Sequence, residues 1–578
     1  MMKVTVAVFL LLMQLHFPIV SSFLPMHSKE LRNKGLAKTR TTTTTTTAFA
    51  FNWFGMKGND NNVDGTDDTN QNNSIGITNT QSKDFISSNQ FINLPSFATK
   101  AESGSADIVI IGGGISGLAA CITLAEIIKE NQLEKNIILL EANSKLGGRV
   151  TSETIDGFCL DEGFAVFIEE YPEVKKLLDY DALELKRFLP GAKVKLKGRE
   201  NLARVADPLR NPGDIVESVL SPIGSIIDKV KVLPLVLNVR LSSVEDIFNE
   251  KESDTESALI ERWGFSDPFI NTFFKPFLEG IYLAPLSQQS SRMFSFAFKM
   301  FSDGSATLPK GGMKAVTDQL VKKAESLGIQ IITEMPVTRV LRNRDNDNDN
   351  FIVECKADNQ QCFKTSFVVV ATDGQIAKKI MSNIKGFESL KEIPDQPQLS
   401  VGCLYYAFKG KAPVEEPILV LNGMTDENEP VNNVCFPSVV NAGYAPEGYN
   451  LCSVTVLSEA MNLYKNRPDE LDQAVRRQLG TWFVDQQSDI MDKWELKKIF
   501  YIPKAQPSQY NGPFPASFNG SRSSTNFYGK ELPNGLFVCG DHMATATLNG
   551  AVESGVKAGN DVAKVALATS VPNEVLVG

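Results

Sequence analysis

The sequence predicts an α/β fold with a Rossmann-like dinucleotide-binding turn, and three adjoining stretches carry that prediction. Asp107-Ile-Val-Ile-Ile111 is a short apolar strand, Gly112-x-Gly114-x-x-Gly117 is a glycine turn, and Leu118 to Glu130 has helical apolar spacing. Gly112 permits the tight turn, Gly114 lets a pyrophosphate approach the backbone, and Gly117 allows close packing of helix on strand. Ile115 and Ser116 lie between them, where the helix N-terminus faces the phosphates. The next strand, Asn136–Leu140, ends at Glu141-Ala142, where a carboxylate can accept hydrogen bonds from adenosine ribose hydroxyls. Glu141 is further from the turn than usual, which implies extra residues around Glu130–Lys135; a longer loop there costs little.

The residues before this strand are of another kind. Met1–Lys3 is a short positive start, Val4–Leu15 is apolar but short for a bilayer span, and Val20-Ser-Ser22 is a small-residue cleavage site, so residues 1–22 are predicted to be a signal peptide. Phe23–Arg40 is basic and is followed by the threonines of Thr41–Thr47, as in a transit peptide, and Asn59–Asn73 is rich in Asn, Asp and Gly. Residues 23–105 are therefore predicted to be transit peptide and disordered linker, with the folded part starting near Ala106. A signal followed by a transit segment resembles the presequence of algae whose plastids lie inside the secretory system; plain secretion is the alternative. The eight cysteines are scattered without a CxxC pair, several inside apolar runs, which suits a reducing compartment. The net charge of -10, with no basic run, argues against a nucleic-acid partner.

The residues after Glu141 distinguish the dinucleotide. The Gly147-Gly148-Arg149 turn resembles that of the FAD-dependent amine oxidoreductase, phytoene desaturase and protoporphyrinogen oxidase superfamily, and Asp156–Phe164 fits the same family's next segment, which passes the flavin ring. The resemblance implies that the paired glycines bring backbone to the cofactor and that Arg149 helps neutralise its phosphates. Asn534–Asp541 followed by Thr545–Gly555 resembles the family's C-terminal flavin motif. By that resemblance Gly540 and Asp541 meet the ribityl and phosphate part of FAD. The helix starting near Asn549, Gly550 and Ala551 would point its N-terminus at the flavin ring, where its partial positive charge favours the reduced anion. Leu308–Met313, the strand around Val337–Val340, implied to contact adenine, and Phe367–Thr372 extend the match. The resemblance thus implies a discontinuous Rossmann-like FAD-binding domain (106–171, 303–394 and 499–567), an inserted α+β substrate-binding domain (172–302 and 395–498) and a tail, 568–578. FAD is expected to be non-covalent, since no Cys is placed like those that attach it.

The substrate half is dense in aromatic residues: Phe269, Phe273, Phe274, Phe277, Phe294, Phe296, Phe298 and Phe301. Such a stripe reads first as core, yet 35 Phe against 11 Tyr and 4 Trp leans toward a hydrophobic ligand. Ile215–Val239 is apolar but broken by charges and prolines, so it does not span a membrane. It reads either as a peripheral membrane contact or as a buried helical pair.

Catalytic groups are sparse. His542 is the one histidine of the folded part, which excludes a His-rich metal centre, and no metal is expected. It is a weak candidate proton acceptor beside the flavin, with a structural role the stronger reading. Amine oxidases of the family hold a lysine on a substrate-domain strand and an aromatic pair near the flavin; Leu399–Phe408 has no central lysine, and Met543 and Ala544 are not aromatic. The chain therefore reads as a plastid FAD oxidoreductase that takes a hydride from a lipophilic isoprenoid or tetrapyrrole, with oxygen or a quinone as acceptor. Amine oxidation, a non-redox polyene isomerase or hydratase, and a non-catalytic FAD scaffold are the alternatives.

Overall fold

The computed structural model describes residues 104–206, 210, 215–345, 348–356, 362–424, 429–510 and 523–570. The expected signal peptide, almost all of the expected transit and linker segment, and residues 571–578 of the expected tail lie outside the described residues. The first strand, β1 (Gly104–Ile111), begins before the expected boundary at Ala106, and the final helix, Leu548–Ser570, runs past the expected end at 567. The helix after the turn, α1 (Ile115–Glu130), starts three residues earlier than its apolar spacing indicates. Ser116 and Gly117 are buried there although neither is apolar enough to register in a periodicity.

The first sheet is assembled from distant segments. Gln330–Ile332, β2 (Ile137–Leu140), β1, Cys362–Val370 and Leu536–Val538 run parallel in that order. Cys362–Val370 also pairs antiparallel with Asn348–Cys355, which pairs in turn with Val337–Asp345. The parallel strands are continuous apolar runs because both faces are covered. Ile108 and Ile110 face one core, shared with α1 and the Leu548–Ser570 helix, while Val109 and Ile111 face another.

Glycine sets how closely these layers approach. A Cβ on Gly117 would lie 1.9 Å from the Gly112 carbonyl oxygen. One on Gly555 would lie 2.2 Å from Ser116 O, and one on Gly559 2.7 Å from Ala120 O. The long final helix therefore lies on α1 with main chain against main chain, and the cofactor turn is clamped from both sides.

The second sheet has the order Glu495–Pro507, Gln398–Lys409, Tyr449–Leu457, Val431–Cys435, Leu419–Asn422, Gly191–Lys195 and Ala203–Ala206. Its pairs are antiparallel apart from Leu419–Asn422 with Gly191–Lys195. Cys403, Tyr405 and Ala407 pack toward Phe158, Leu160 and Leu308, whereas Leu404, Tyr406 and Phe408 join the core with Leu471, Val475 and Leu479 of the helix Pro468–Trp482. The expected domain boundary between Lys498 and Ile499 falls inside a strand that pairs with Gln398–Lys409 as far as Pro507. The strand Glu495–Pro507 thus lies on both sides of the expected boundary.

The phenylalanine stripe is core: Phe269, Phe274 and Phe294 are fully buried together, and Phe296 joins the cofactor-side core. Phe273, Phe277, Phe298 and Phe301 are half-buried at its margin. The Ile215–Val239 stretch forms two helices, Ile215–Leu220 and Ile226–Leu241. Leu235 and Val239 face the core, and Leu220, Ile227 and Leu241 face outward. No helix among the described residues is long and apolar enough to cross a membrane.

Replacing Gly555 by Val should force α1 and the final helix apart at a cost of about 1–3 kcal/mol or more. Thermal unfolding should show a lowered Tm; an unchanged Tm would contradict the main-chain contact.

Candidate functional site

Two glycine turns face each other at the ends of β1 and β2. Gly112 has φ +110°, and a Cβ on it would strike Ala371 O at 2.5 Å, so the turn needs glycine. The Gly147 N–H donates to Gly113 O at 2.8 Å, bringing the second turn alongside the first. A Cβ on Gly114 would meet nothing within 4 Å, and one on Gly148 would meet only Gly114 Cα, at 3.6 Å. An open lane thus runs beside both glycines. It ends at the start of α1, which has no side-chain cap and no acidic residue in its first turn. Unpartnered helical N–H groups beside a lane that glycine keeps clear suit a pyrophosphate.

Glu141 is buried at one end of this lane. One carboxylate oxygen accepts from Gly113 N–H at 2.7 Å, and the other accepts from the main-chain and side-chain amides of Asn143, both at 2.8 Å. A carboxylate offers about four acceptor positions, so three amides leave room for a hydroxyl donor. Ala142 is exposed next to it. Glu334 and Met335 donate to Asn143 O and Glu141 O, which brings the start of the Val337–Asp345 strand to the same end of the sheet.

Directly after Gly148, Arg149 Nη1 lies 2.7 Å from Asp541 Oδ2 and donates to Ala505 O at 3.0 Å. Burial alone would raise the Asp541 carboxyl, but the charge and hydrogen bond of Arg149 hold it below the usual carboxylate range. Gly540 N–H donates to Ser554 Oγ at 3.0 Å, and a Cβ on Gly540 would collide with the His542 ring. His542 is buried among Gly374, Gly540 and Phe527, whose ring stands edge-on to it at 6.2 Å. Its ring is part of the packing beneath the loop.

The junction into the final helix is built by the predicted trio. Asn549 Oδ1 accepts from Glu173 N–H at 2.9 Å and so fixes the start of the helix Pro172–Leu177. Its side chain therefore points to that helix, a role the motif does not reveal. Gly550 lies so close to Thr545 that a Cβ would sit 2.0 Å from its carbonyl oxygen, and Ala551 N–H donates to Thr547 O.

Three further residues matter that sequence reasoning does not single out. Gln509 donates through Nε2 to Ala544 O at 2.6 Å and accepts from Ala546 N–H at 2.5 Å, holding the loop before the final helix. Asp161 is buried and accepts from Ser152 Oγ at 2.6 Å, Met313 N–H at 2.8 Å and Tyr444 O–H at 2.9 Å, which ties the hairpin Ser152–Asp161 to both halves of the chain. Burial raises its carboxyl above the usual range despite these bonds. Glu279, on the helix Lys275–Tyr282, is pushed up to about 7 by burial and by Glu459 and Glu256, with Lys275 opposing. The partners of each lie far away in sequence, so no local pattern marks them. Among the described residues no cluster of His, Cys, Asp or Glu could hold a metal ion.

The folded chain keeps the Glu279 proton up to about pH 7, whereas the unfolded chain releases it in the usual carboxylate range. Stability should therefore fall as pH rises across that window, and Glu279→Gln should flatten this part of a Tm–pH curve. An identical slope in the variant would contradict the burial. Arg149→Met should cost about 1–3 kcal/mol by leaving the Asp541 carboxylate without its charged partner. Urea unfolding with an unshifted midpoint would count against the pair.

The model of the flavin containing amine oxidoreductase family matches residues 115–563. Protoporphyrinogen oxidase 2, chloroplastic/mitochondrial, of Arabidopsis thaliana is 23% identical over 501 residues, covering 78% of this chain and 92% of that protein. Carotenoid 3,4-desaturase of Haloarcula japonica is 24% identical over 433 residues, covering 68% and 84%. The solved structure of cyclohexylamine oxidase from Brevibacterium oxydans superposes with a TM-score of 0.56 at 15% identity, over 80% of this chain and 100% of that one, and so supports the fold alone. The facing glycine turns, the discontinuous parallel sheet and the match over most of the chain agree: the protein is an FAD-dependent oxidoreductase of the flavin containing amine oxidoreductase family.

Proposed function

We propose that the chain takes a hydride from a lipophilic substrate, such as a carotenoid precursor or a tetrapyrrole. The observation that supports its flavin chemistry most is the space left clear beside Gly114 and Gly148, where the Gly112–Gly117 and Gly147–Gly148 turns meet. In this reading Gly112, Gly114, Ile115, Ser116 and Gly117 hold the FAD pyrophosphate, Glu141 and Ala142 the ribose, and Val337 the adenine. Gly147, Gly148, Arg149, Gly540 and Asp541 line the path from phosphate to ribityl chain, and Asn549, Gly550 and Ala551 shape the junction beneath the ring. Bound FAD supplies the hydride acceptor, N5 of its flavin. The protein's part is to orient substrate, exclude water and offer the N-terminal end of the Leu548–Ser570 helix, whose first turn carries no acid, to developing negative charge. His542 packs the loop in this reading, and the transfer uses no histidine base.

The strand face toward the cofactor half carries Cys403, Tyr405 and Ala407, without the lysine that amine oxidation commonly employs, which weighs against an amine substrate. The outward Leu220, Ile227 and Leu241 favour a peripheral membrane contact that would deliver a lipophile. The N-terminal segments support delivery to a plastid.

Anaerobic titration of the FAD-loaded protein with carotenoid precursors, protoporphyrinogen and amines tests the reading. One lipophilic class should bleach the oxidised flavin band; bleaching by amines alone would overturn it. Glu141→Ala should lower flavin content with the rest still folded by circular dichroism, and unchanged content would remove the ribose contact. Flotation with liposomes should fall when Ile227 and Leu241 are both replaced by Glu, and equal flotation would remove the membrane contact.

A further inference from the structure

A cleft opens beside the loop that leads into the final helix. Its lining includes Gln289, Ser290, Gln506, Gln509, Tyr510 and Ala546, and none of its lining residues carries a formal charge. About 30 Å³ of it admits a water-sized group, which is room for the hydroxyl end of a long ligand and not for a whole small molecule. Gln509 binds Ala544 and Ala546, so the cleft wall is continuous with the loop at the proposed flavin site.

Gln289, in the cleft wall, carries an unsatisfied polar atom. Its side chain is 3% exposed and its amide N–H donates to Ala284 O, while its Oε1 has no hydrogen-bond partner. A buried carbonyl oxygen left this way is costly unless a donor reaches it. The charged groups nearby, Glu252, Asp254 and Arg292, are already engaged. Glu252 accepts from Ser290 Oγ and Ser291 Oγ and pairs with Arg292, and Asp254 accepts from Ser257 N–H and Oγ. Burial and then these two acids raise the Tyr510 hydroxyl, which places their field at the cleft.

We propose that this cleft takes the uncharged, hydrogen-bond-donating end of a lipophilic ligand, an alcohol O–H, with Gln289 Oε1 as its acceptor. The inference rests on the reading of the chain as an FAD oxidoreductase of a lipophilic substrate and names the substrate class within it. A carboxylate entering here would lose its hydration, face the Gln289 oxygen and meet the field of Glu252 and Asp254. An ammonium would find acceptors but no carboxylate among the lining residues to balance its lost hydration. A hydroxyl donates to the waiting oxygen and leaves no charge stranded.

The test is equilibrium binding to the FAD-loaded full chain, read as perturbation of the flavin spectrum, with three probes of one chain length: geranylgeraniol, geranylgeranoic acid and geranylgeranylamine at neutral pH. The alcohol should bind about tenfold or more tightly than either charged analogue. Gln289→Leu should reduce that preference to about twofold or less with FAD content retained, and Gln506→Arg should tighten the acid by about tenfold. Equal or tighter binding of the acid or amine, saturable binding of none, or a preference unmoved in both variants overturns the proposal. Should the preference hold while no lipophile reduces the flavin, the substrate reading fails and the cleft assignment stands. Should a carboxylate-bearing substrate reduce the flavin and bind as tightly as the alcohol, the reverse is true.

Discussion

The approach of three main chains at the cofactor turn is the constraint on which the rest of the structure depends. Gly117 brings α1 onto the Gly112 carbonyl, and Gly555 and Gly559 bring the final helix onto α1 at Ser116 and Ala120. These contacts place the first and last elements of the described fold against each other. Ends of the chain more than four hundred residues apart can then contribute to one site. The inserted second sheet hangs on this frame, and every substrate-side distance to the cofactor lane depends on it.

Two buried carboxylates, Asp161 and Asp541, the latter through the exposed Arg149, fix the second half to the first. Asp161 joins Ser152, Met313 and Tyr444, and Arg149 joins Ala505 and Asp541, so each draws together segments from widely separated parts of the sequence. Such groups are costly to bury and are retained where each lone pair finds a donor. The raised Asp161 carboxyl shows how dry its position is, and the lowered Asp541 carboxyl shows the opposite balance, in which a charged partner outweighs burial.

Much of this is legible in the sequence, for physical reasons that differ by residue. Gly112, Gly117 and Gly550 can be recognised because a backbone that tolerates no Cβ leaves glycine at a definite spacing. β1 and β2 are legible as apolar runs because parallel strands are covered on both faces. The strand Glu495–Pro507 crosses the expected boundary at Lys498, since a strand that closes a sheet edge looks locally like a connecting segment. The bond from Glu173 to Asn549 spans 376 residues, a separation over which no pattern informs. Gln289, Gln509, Asp161 and Glu279 are invisible for the same reason: their roles come from the groups that tertiary packing sets beside them. The phenylalanine stripe reads correctly as core, since aromatic spacing reports burial more readily than ligand contact.

The central claim is that the two glycine turns and the C-terminal loop form a single FAD site. A crystal structure of the FAD-loaded protein tests it most directly. The account predicts pyrophosphate density between Gly114 and Gly148 at the start of α1, the ribose against Glu141 and the flavin approaching the loop held by Gln509. Density for the dinucleotide elsewhere, or a pyrophosphate away from the Gly114–Gly148 lane, would contradict it.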